Sequence, residues 1–403
     1  MRREIGTIIC TGKSPCASEF EFVVTDTSSP IPVRKGQFVE VRSEEGIIIA
    51  QVTEVIKTNR YFMHADAVRE FERGGFSISS IFPVDRWEYI IGRANTLAVL
   101  TKNGIERVTY PPSPGERVLL ADEEVLPEFL GFDMSNGIEI GKLMYHDVPV
   151  KLDLTRLFQK HLAILSISGG GKSYTASVII EELLDKADGL APAVIVIDPH
   201  GEYVGFGEDE NYASKTRVFD TNSIKIGASS LTPSQILEFL PQMTQVQRRD
   251  LEKLISDLRQ ERVEYGMDDI IQAVENSRID ERTKRAMIRW LDDLKRTGLI
   301  GNVDSPSLNE LVRLGELSII DLSQIIDLRK KQIIVAHLAR KLFESRRLGK
   351  IPPFVLIVEE AHQFAPEGVE RGKAISKNII ETIAREGRKF NASLVLISQR
   401  PIK

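Results

Sequence analysis

The chain has 403 residues, 42% of them hydrophobic and 28% charged, enough to bury more than one core across two or three domains. Its 53 basic and 58 acidic residues give a net charge of −5, which excludes a surface coated in positive charge but allows a basic channel inside an acidic exterior. Two cysteines, Cys10 and Cys16, are too few for a disulfide scaffold or a zinc site, so free thiols in a reducing compartment are expected. The N-terminus lacks an apolar signal core, and apolar runs such as 193–197 and 354–358 are too short to span a bilayer. A soluble, cytoplasmic protein is the expectation.

Residues 1–147 read as short strands at 21–25, 37–41, 47–55, 96–100 and 117–120, separated by Gly, Pro, Asn and Asp turns. Val39, Val41, Val52 and Val55 supply the branched side chains that pleated sheets accommodate. The pattern predicts a small β-barrel with a structural or docking role. His64 and Asp66 read as ordinary surface residues.

The pattern changes at residue 148, where a second domain is expected to begin and run to 403. A short apolar strand at 161–167 enters a glycine-rich turn, a helix follows at 173–186, and a second buried strand at 193–198. Strand, helix and strand in this order predict a parallel sheet and an α/β core. A helical insertion is expected at about 232–303, with segments 233–240, 245–261, 267–275 and 281–297. Leu251, Leu254, Ile255 and Leu258 carry the helical spacing, and Thr232 with Pro233 forms an N-cap and first-turn pair. Strands resume at 317–321, 354–358 and 393–398, and the chain reaches Lys403 before the covering element that would ordinarily follow.

Ser166-Ile167-Ser168-Gly169-Gly170-Gly171-Lys172-Ser173 matches the P-loop pattern at every fixed position but the first, where Ser166 replaces the usual Gly or Ala. Successive glycines let backbone N–H groups curl around phosphate oxygens, and the helix that follows adds its positive N-terminal dipole. Ser168, Gly169, Gly170, Gly171, Lys172, Ser173 and Tyr174 are the expected nucleotide contacts, with Lys172 on the β- and γ-phosphates and Ser173 on Mg²⁺. A glycine-rich turn without a ligand would not need to leave a buried strand and open a helix. ATP and Mg²⁺ are therefore the expected ligands.

The strand at 354–358 ends in Glu359-Glu360-Ala361-His362. Two acids at the carboxyl edge of a parallel strand face the crevice where such sheets bind ligands. Glu359 is expected in the Mg²⁺ shell and Glu360 as the base polarising the attacking water; the alternative is an acidic helix cap. Ser398-Gln399-Arg400-Pro401 follows another buried strand, with Gln399 placed to sense the γ-phosphate or orient water. Asp198-Pro199-His200-Gly201-Glu202-Tyr203 follows the strand after the P-loop helix; Asp198 and Glu202 are alternative bases, or caps of the loop. Arg385 and Arg388 read either as an arginine finger for a neighbouring subunit or as a solvated basic helix end.

Together these features resemble the HerA family of the HerA–FtsK class of P-loop ATPases. The resemblance is carried by residues 159–164 running into the P-loop, by 198–203, by 357–366 and by 385–401, in that order. It implies a RecA-like core assembled as a homo-hexamer with ATP at subunit interfaces, an N-terminal HAS-type barrel, and duplex DNA in the central channel. Archaeal members of the family act with a NurA-type nuclease on DNA ends in recombinational repair. By the same resemblance Lys160 stands near the phosphates, where arginine is usual, together with Asp198. The family's C-terminal bracing extension is expected to be missing.

Basic residues in two loops are candidate DNA contacts: Lys215, Arg217 and Lys225 within 204–225, and Arg371, Lys373 and Lys377 within 365–377. Cationic loops engage phosphates with little sequence preference, though each residue also fits a solvated surface. Two other functions compete with a DNA translocase. A secretion or conjugation motor predicts a membrane anchor, and none is visible. A nucleotide-dependent DNA-binding scaffold has no need of a base such as Glu360.

Overall fold

The computed structural model describes residues 3–10, 14–25, 31–59, 62, 69, 73, 88–186, 191–368 and 374–400; His64 and Asp66 lie outside them. Backbone contacts divide the chain into two units, Met1–Leu152 and Asp153–Lys403.

The first unit contains β1 (Glu4–Ile9), β2 (Glu19–Val24), β3 (Phe38–Arg42), β4 (Ile47–Asn59), β5 (Glu88–Thr101), β6 (Gly104–Glu106) and β7 (Arg117–Leu120). The antiparallel order β2-β1-β7-β3-β4-β5 closes on itself through a β2–β5 pairing, giving a six-stranded barrel with β6 as a hairpin arm. Its interior is filled by Ile5, Ile8, Phe20, Phe22, Val39, Val41, Val52 and Val118. Gly6 and Gly92 make room for the Phe22 ring: a Cβ on Gly92 would lie 2.3 Å from that ring. β1 was not among the expected strands. β4 and β5 outrun their predicted ends because cross-strand pairs such as Val55 with Gly92, rather than side-chain burial, hold their solvent-facing halves.

After the short helix α1 (Leu126–Leu130), the hairpin of β8 (Ile138–Lys142) and β9 (Pro149–Leu152) completes this unit. The structural division thus falls after β9, whereas the sequence places the start of the second domain at residue 148.

The second unit opens with α2 (Leu154–Gln159), β10 (Leu162–Leu165), α3 (Lys172–Leu184), β11 (Ala193–Asp198), β12 (Thr216–Phe219) and β13 (Ile226–Gly227). The insertion follows as α4 (Pro233–Glu238), α5 (Gln245–Glu261), α6 (Met267–Glu275) and α7 (Glu281–Arg296). The chain continues through β14 (Ile300–Gly301), α8 (Leu308–Leu311), β15 (Leu317–Asp321), α9 (Leu328–Arg347), β16 (Phe354–Val358), α10 (Lys377–Glu386) and β17 (Ala392–Ser398). Six strands form one all-parallel sheet in the order β10-β17-β16-β11-β15-β12. β11 and β16 are buried at every position, as central strands covered on both faces must be. This is the α/β P-loop core with a preceding barrel that the sequence predicts.

Capping boxes at Thr232 and Thr244 and an Asp280 cap start three of the insertion helices. Inward residues of the insertion helices, among them Leu251, Ile255, Ile270, Met287 and Leu291, join the hydrophobic core that covers the sheet. The parallel pair β13–β14 ties the two ends of the insertion together. Among the described residues no helix is long and apolar enough to cross a membrane.

Candidate active site

The P-loop occupies the turn between β10 and α3. Gly169 (φ +73°) and Gly171 (φ +82°) hold left-handed backbones that other residues rarely adopt, and a Cβ at either would meet only open space. Gly170 is needed for a different reason: a Cβ there would sit 1.8 Å from Ser166 Oγ. With the serine at the first motif position in this rotamer, the space facing it admits only a glycine at 170. Gly171 caps α3 without a side-chain hydrogen bond, leaving the N–H groups of its first turn without intrahelical acceptors. Lys172 is buried, while Tyr174 is 77% exposed.

Strand register brings the acids to this loop. Leu165, the last residue of β10, pairs with Ser398, and Val358 pairs with Leu396, so Glu359, Glu360, Gln399 and the P-loop all emerge at one carboxyl edge. Interposing β17 between β10 and β16 leaves a one-strand gap between phosphate cradle and acids.

Glu359 is 1% exposed, and the Tyr203 hydroxyl donates to its Oε2 at 2.9 Å. Burial pushes its carboxyl up to about 7; the Glu202 and Glu360 charges push the same way, against the Tyr203 hydrogen bond and the Lys172 charge.

Glu360 is the cap of the following turn and sits in the left-handed region (φ +49°, ψ 45°), 6% exposed. Gln399 Nε2 donates to its Oε1 at 2.8 Å. Its Oε2 lies 3.1 Å from His362 Nδ1 but has no aligned hydrogen bond, and Ser398 Oγ stands 3.3 Å from the same His362 nitrogen. Gln399 and His362 thus flank this buried carboxylate at the carboxyl edge that also carries the P-loop, where a placed base would be needed.

Asp198, fully buried, accepts from the backbone N–H groups of His200, Gly201 and Glu202 at Oδ1 and of Tyr203 at Oδ2. Four donors commit this carboxylate to shaping the loop, which removes it as a base or a nucleotide contact. Glu202 stays exposed.

Lys160 is not brought to this site within one chain. It precedes β10, roughly 20 Å of extended strand away from Ser166. His161 beside it accepts the Leu394 N–H, near the start of β17, and lies against Gly387. Arg385 and Arg388 therefore share that opposite, amino-terminal edge; both are exposed, with Arg385 3.3 Å from Glu381.

The DNA candidates divide similarly. Arg217 lies on the far edge strand β12 and pairs with Glu316 at 3.3 Å, while Lys215 Nζ donates to Leu184 O and Lys225 Nζ to Gly298 O. The segment containing them is thus a sheet edge and its flanks rather than a free loop. Lys377 Nζ donates to Pro366 O. Arg371, Lys373 and Pro401 lie outside the described residues.

Tyr203 and Lys331 had no role assigned from sequence. Their contacts join residues more than 130 positions apart, a relation that periodicity cannot carry. The offset of Tyr203 from Asp198, five residues past a strand end, is the one local signal.

Among the described residues no group of three or more His, Cys, Asp or Glu side chains could hold a metal alone. Ser173 and Glu359, whose Oε1 takes no hydrogen bond among the described residues, fit instead the sparse protein ligation of a magnesium ion shared with phosphates.

Comparison with known proteins matches residues 138–342 to the family model described as Helicase HerA, central domain. A probable helicase of Methanocaldococcus jannaschii is 30% identical, over 91% of this chain and 73% of that protein. The DNA double-strand break repair helicase HerA of Pyrococcus furiosus is 26% identical, over 96% of this chain and 78% of that protein. Among solved structures, VirB4 of Thermoanaerobacter pseudethanolicus shares the fold, with a TM-score of 0.50 at 16% identity over 67% of this chain and 78% of that one.

Proposed function

Because the chain belongs to the HerA helicase family and is an ATP-hydrolysing enzyme, we propose that it is a motor that moves along double-stranded DNA. In this reading it works as one subunit of a hexameric ring and, with a nuclease, processes DNA ends for repair. The observation that carries the motor chemistry is the placement of Glu360, bonded to Gln399, at the carboxyl edge that holds the P-loop. The DNA substrate is supported by relatives named as double-strand break repair helicases, and the nuclease partner by the family resemblance alone.

Lys172 and the glycine backbone hold the β- and γ-phosphates, and the Glu360 carboxylate accepts a proton from the attacking water. Gln399, bonded to Oε1, keeps the carboxylate aimed and reports on the γ-phosphate position. Ser173 and Glu359 would hold Mg²⁺, which would supply neutralisation of charge on the phosphate oxygens.

The ring is supported by where the basic residues lie. Lys160, Arg385 and Arg388 are at the sheet edge opposite their own P-loop. In a head-to-tail ring that edge faces a neighbour's phosphates, as an arginine finger requires. Arg371 and Lys373 keep the role of channel contacts, whereas Lys215, Arg217 and Lys225 have intrachain partners to leave first. The VirB4 likeness concerns fold alone and does not favour a membrane-bound motor.

Steady-state ATP hydrolysis, measured with and without linear duplex DNA, tests the reading. Stimulation of several-fold or more is expected, declining steeply with added salt as phosphate contacts are screened. Unchanged hydrolysis at every DNA concentration would overturn it.

A further inference from the structure

The loop after β11 does more than connect β11 to β12. Its fold is fixed by Asp198, whose carboxylate gathers four consecutive backbone N–H groups, and by Gly201 in the left-handed region (φ +76°). From beneath, Lys331 on α9, 8% exposed, donates its ammonium to the Pro199 carbonyl at 2.9 Å. The end of this braced turn is Tyr203. Its N–H is held by Asp198 Oδ2 at 2.9 Å, and its completely buried ring directs the hydroxyl onto Glu359 Oε2 at 2.9 Å.

A phenylalanine would fill the same space, so packing does not account for the hydroxyl. The hydrogen bond occupies one carboxylate oxygen of Glu359, and the other, Oε1, takes no hydrogen bond among the described residues.

We propose that Tyr203 is a positioning residue that clamps Glu359 Oε2 so that Oε1 is presented to the magnesium–nucleotide, setting the affinity for the divalent ion. The inference rests on the assignment of Glu359 to the metal. Partners that orient a metal ligand through hydrogen bonds commonly control affinity by tenfold or more.

The test is Tyr203→Phe in the full chain, with binding of a fluorescent non-hydrolysable ATP analogue titrated against Mn²⁺. About a tenfold rise in the half-saturating Mn²⁺ concentration is expected, with analogue binding in chelator unchanged. Glu359→Gln separates the two layers of the argument. If Glu359→Gln leaves the Mn²⁺ dependence unaltered, the metal role of Glu359 is wrong. If it shifts that dependence while Tyr203→Phe does not, the clamp is wrong. The double variant guards against general loosening of the fold, since a clamp acting through Glu359 has no further effect once Glu359 is replaced. Additive shifts would mean that Tyr203 acts structurally.

Discussion

A left-handed backbone costs a glutamate about 1 kcal/mol or more, and Glu360 adopts one while being almost wholly buried. The strain is explained by its outcome: the chain leaves β16 sharply enough to aim the carboxylate at Gln399 and the P-loop edge. Glu360→Gln keeps shape and most contacts but removes the base. It is expected to bind ATP as the parent does while hydrolysis falls by roughly 10²- to 10⁴-fold, read from nucleotide-binding fluorescence beside steady-state phosphate release. Hydrolysis near the parent rate would transfer the role to Glu202, since Asp198 is occupied by four amide donors. At this scale the sequence was informative where chemistry is local. The P-loop glycines and the paired acids were legible because their spacing is the mechanism. Asp198 was not, because a strand-end acid reads alike whether it faces water or its own loop.

Among the elements, the insertion and the helix beneath it depend on one buried cluster. Asp304 accepts from Gly227 N–H and Ser230 Oγ, and its carboxylate meets His337 at 3.2 Å and Lys341 at 2.7 Å on α9. Burial pushes this carboxyl up, but hydrogen bonds from His337 and Lys341 outweigh it and hold the group well below the usual carboxylate range. A carboxylate depressed in the folded state contributes its full stabilisation above its unfolded value near 4, and that stability is lost progressively as pH falls from there through the lower folded value. Asp304→Asn should therefore cost about 3 kcal/mol at neutral pH, with the difference from the parent shrinking below about pH 4. Chemical denaturation at both pH values checks this; an equal deficit at each would contradict it. The insertion helices were legible in advance because one face of each is polar. α9 was not: residues Lys331 to Ala339 are buried in succession, so no amphipathic stripe marks it. β12 was likewise read as loop, being a four-residue edge strand defined by its pairing with β15.

For the whole molecule, the central claim is that each ATP is hydrolysed between two copies of the chain, with P-loop and acids from one and basic residues from the next. The separation of Lys172 from Arg385 and Arg388, at opposite edges of the same sheet, is the geometry behind it. Mixing two inactive variants tests this most directly. Lys172→Ala has intact arginines and a disabled P-loop; the double variant Arg385→Ala, Arg388→Ala has the reverse. If the site is shared, co-assembled mixtures hydrolyse ATP although neither variant does alone, peaking near equal ratio at about a quarter of parent activity, the fraction of interfaces with both halves intact. Mixed oligomers whose hydrolysis equals the sum of the separate variants at every ratio would contradict the account.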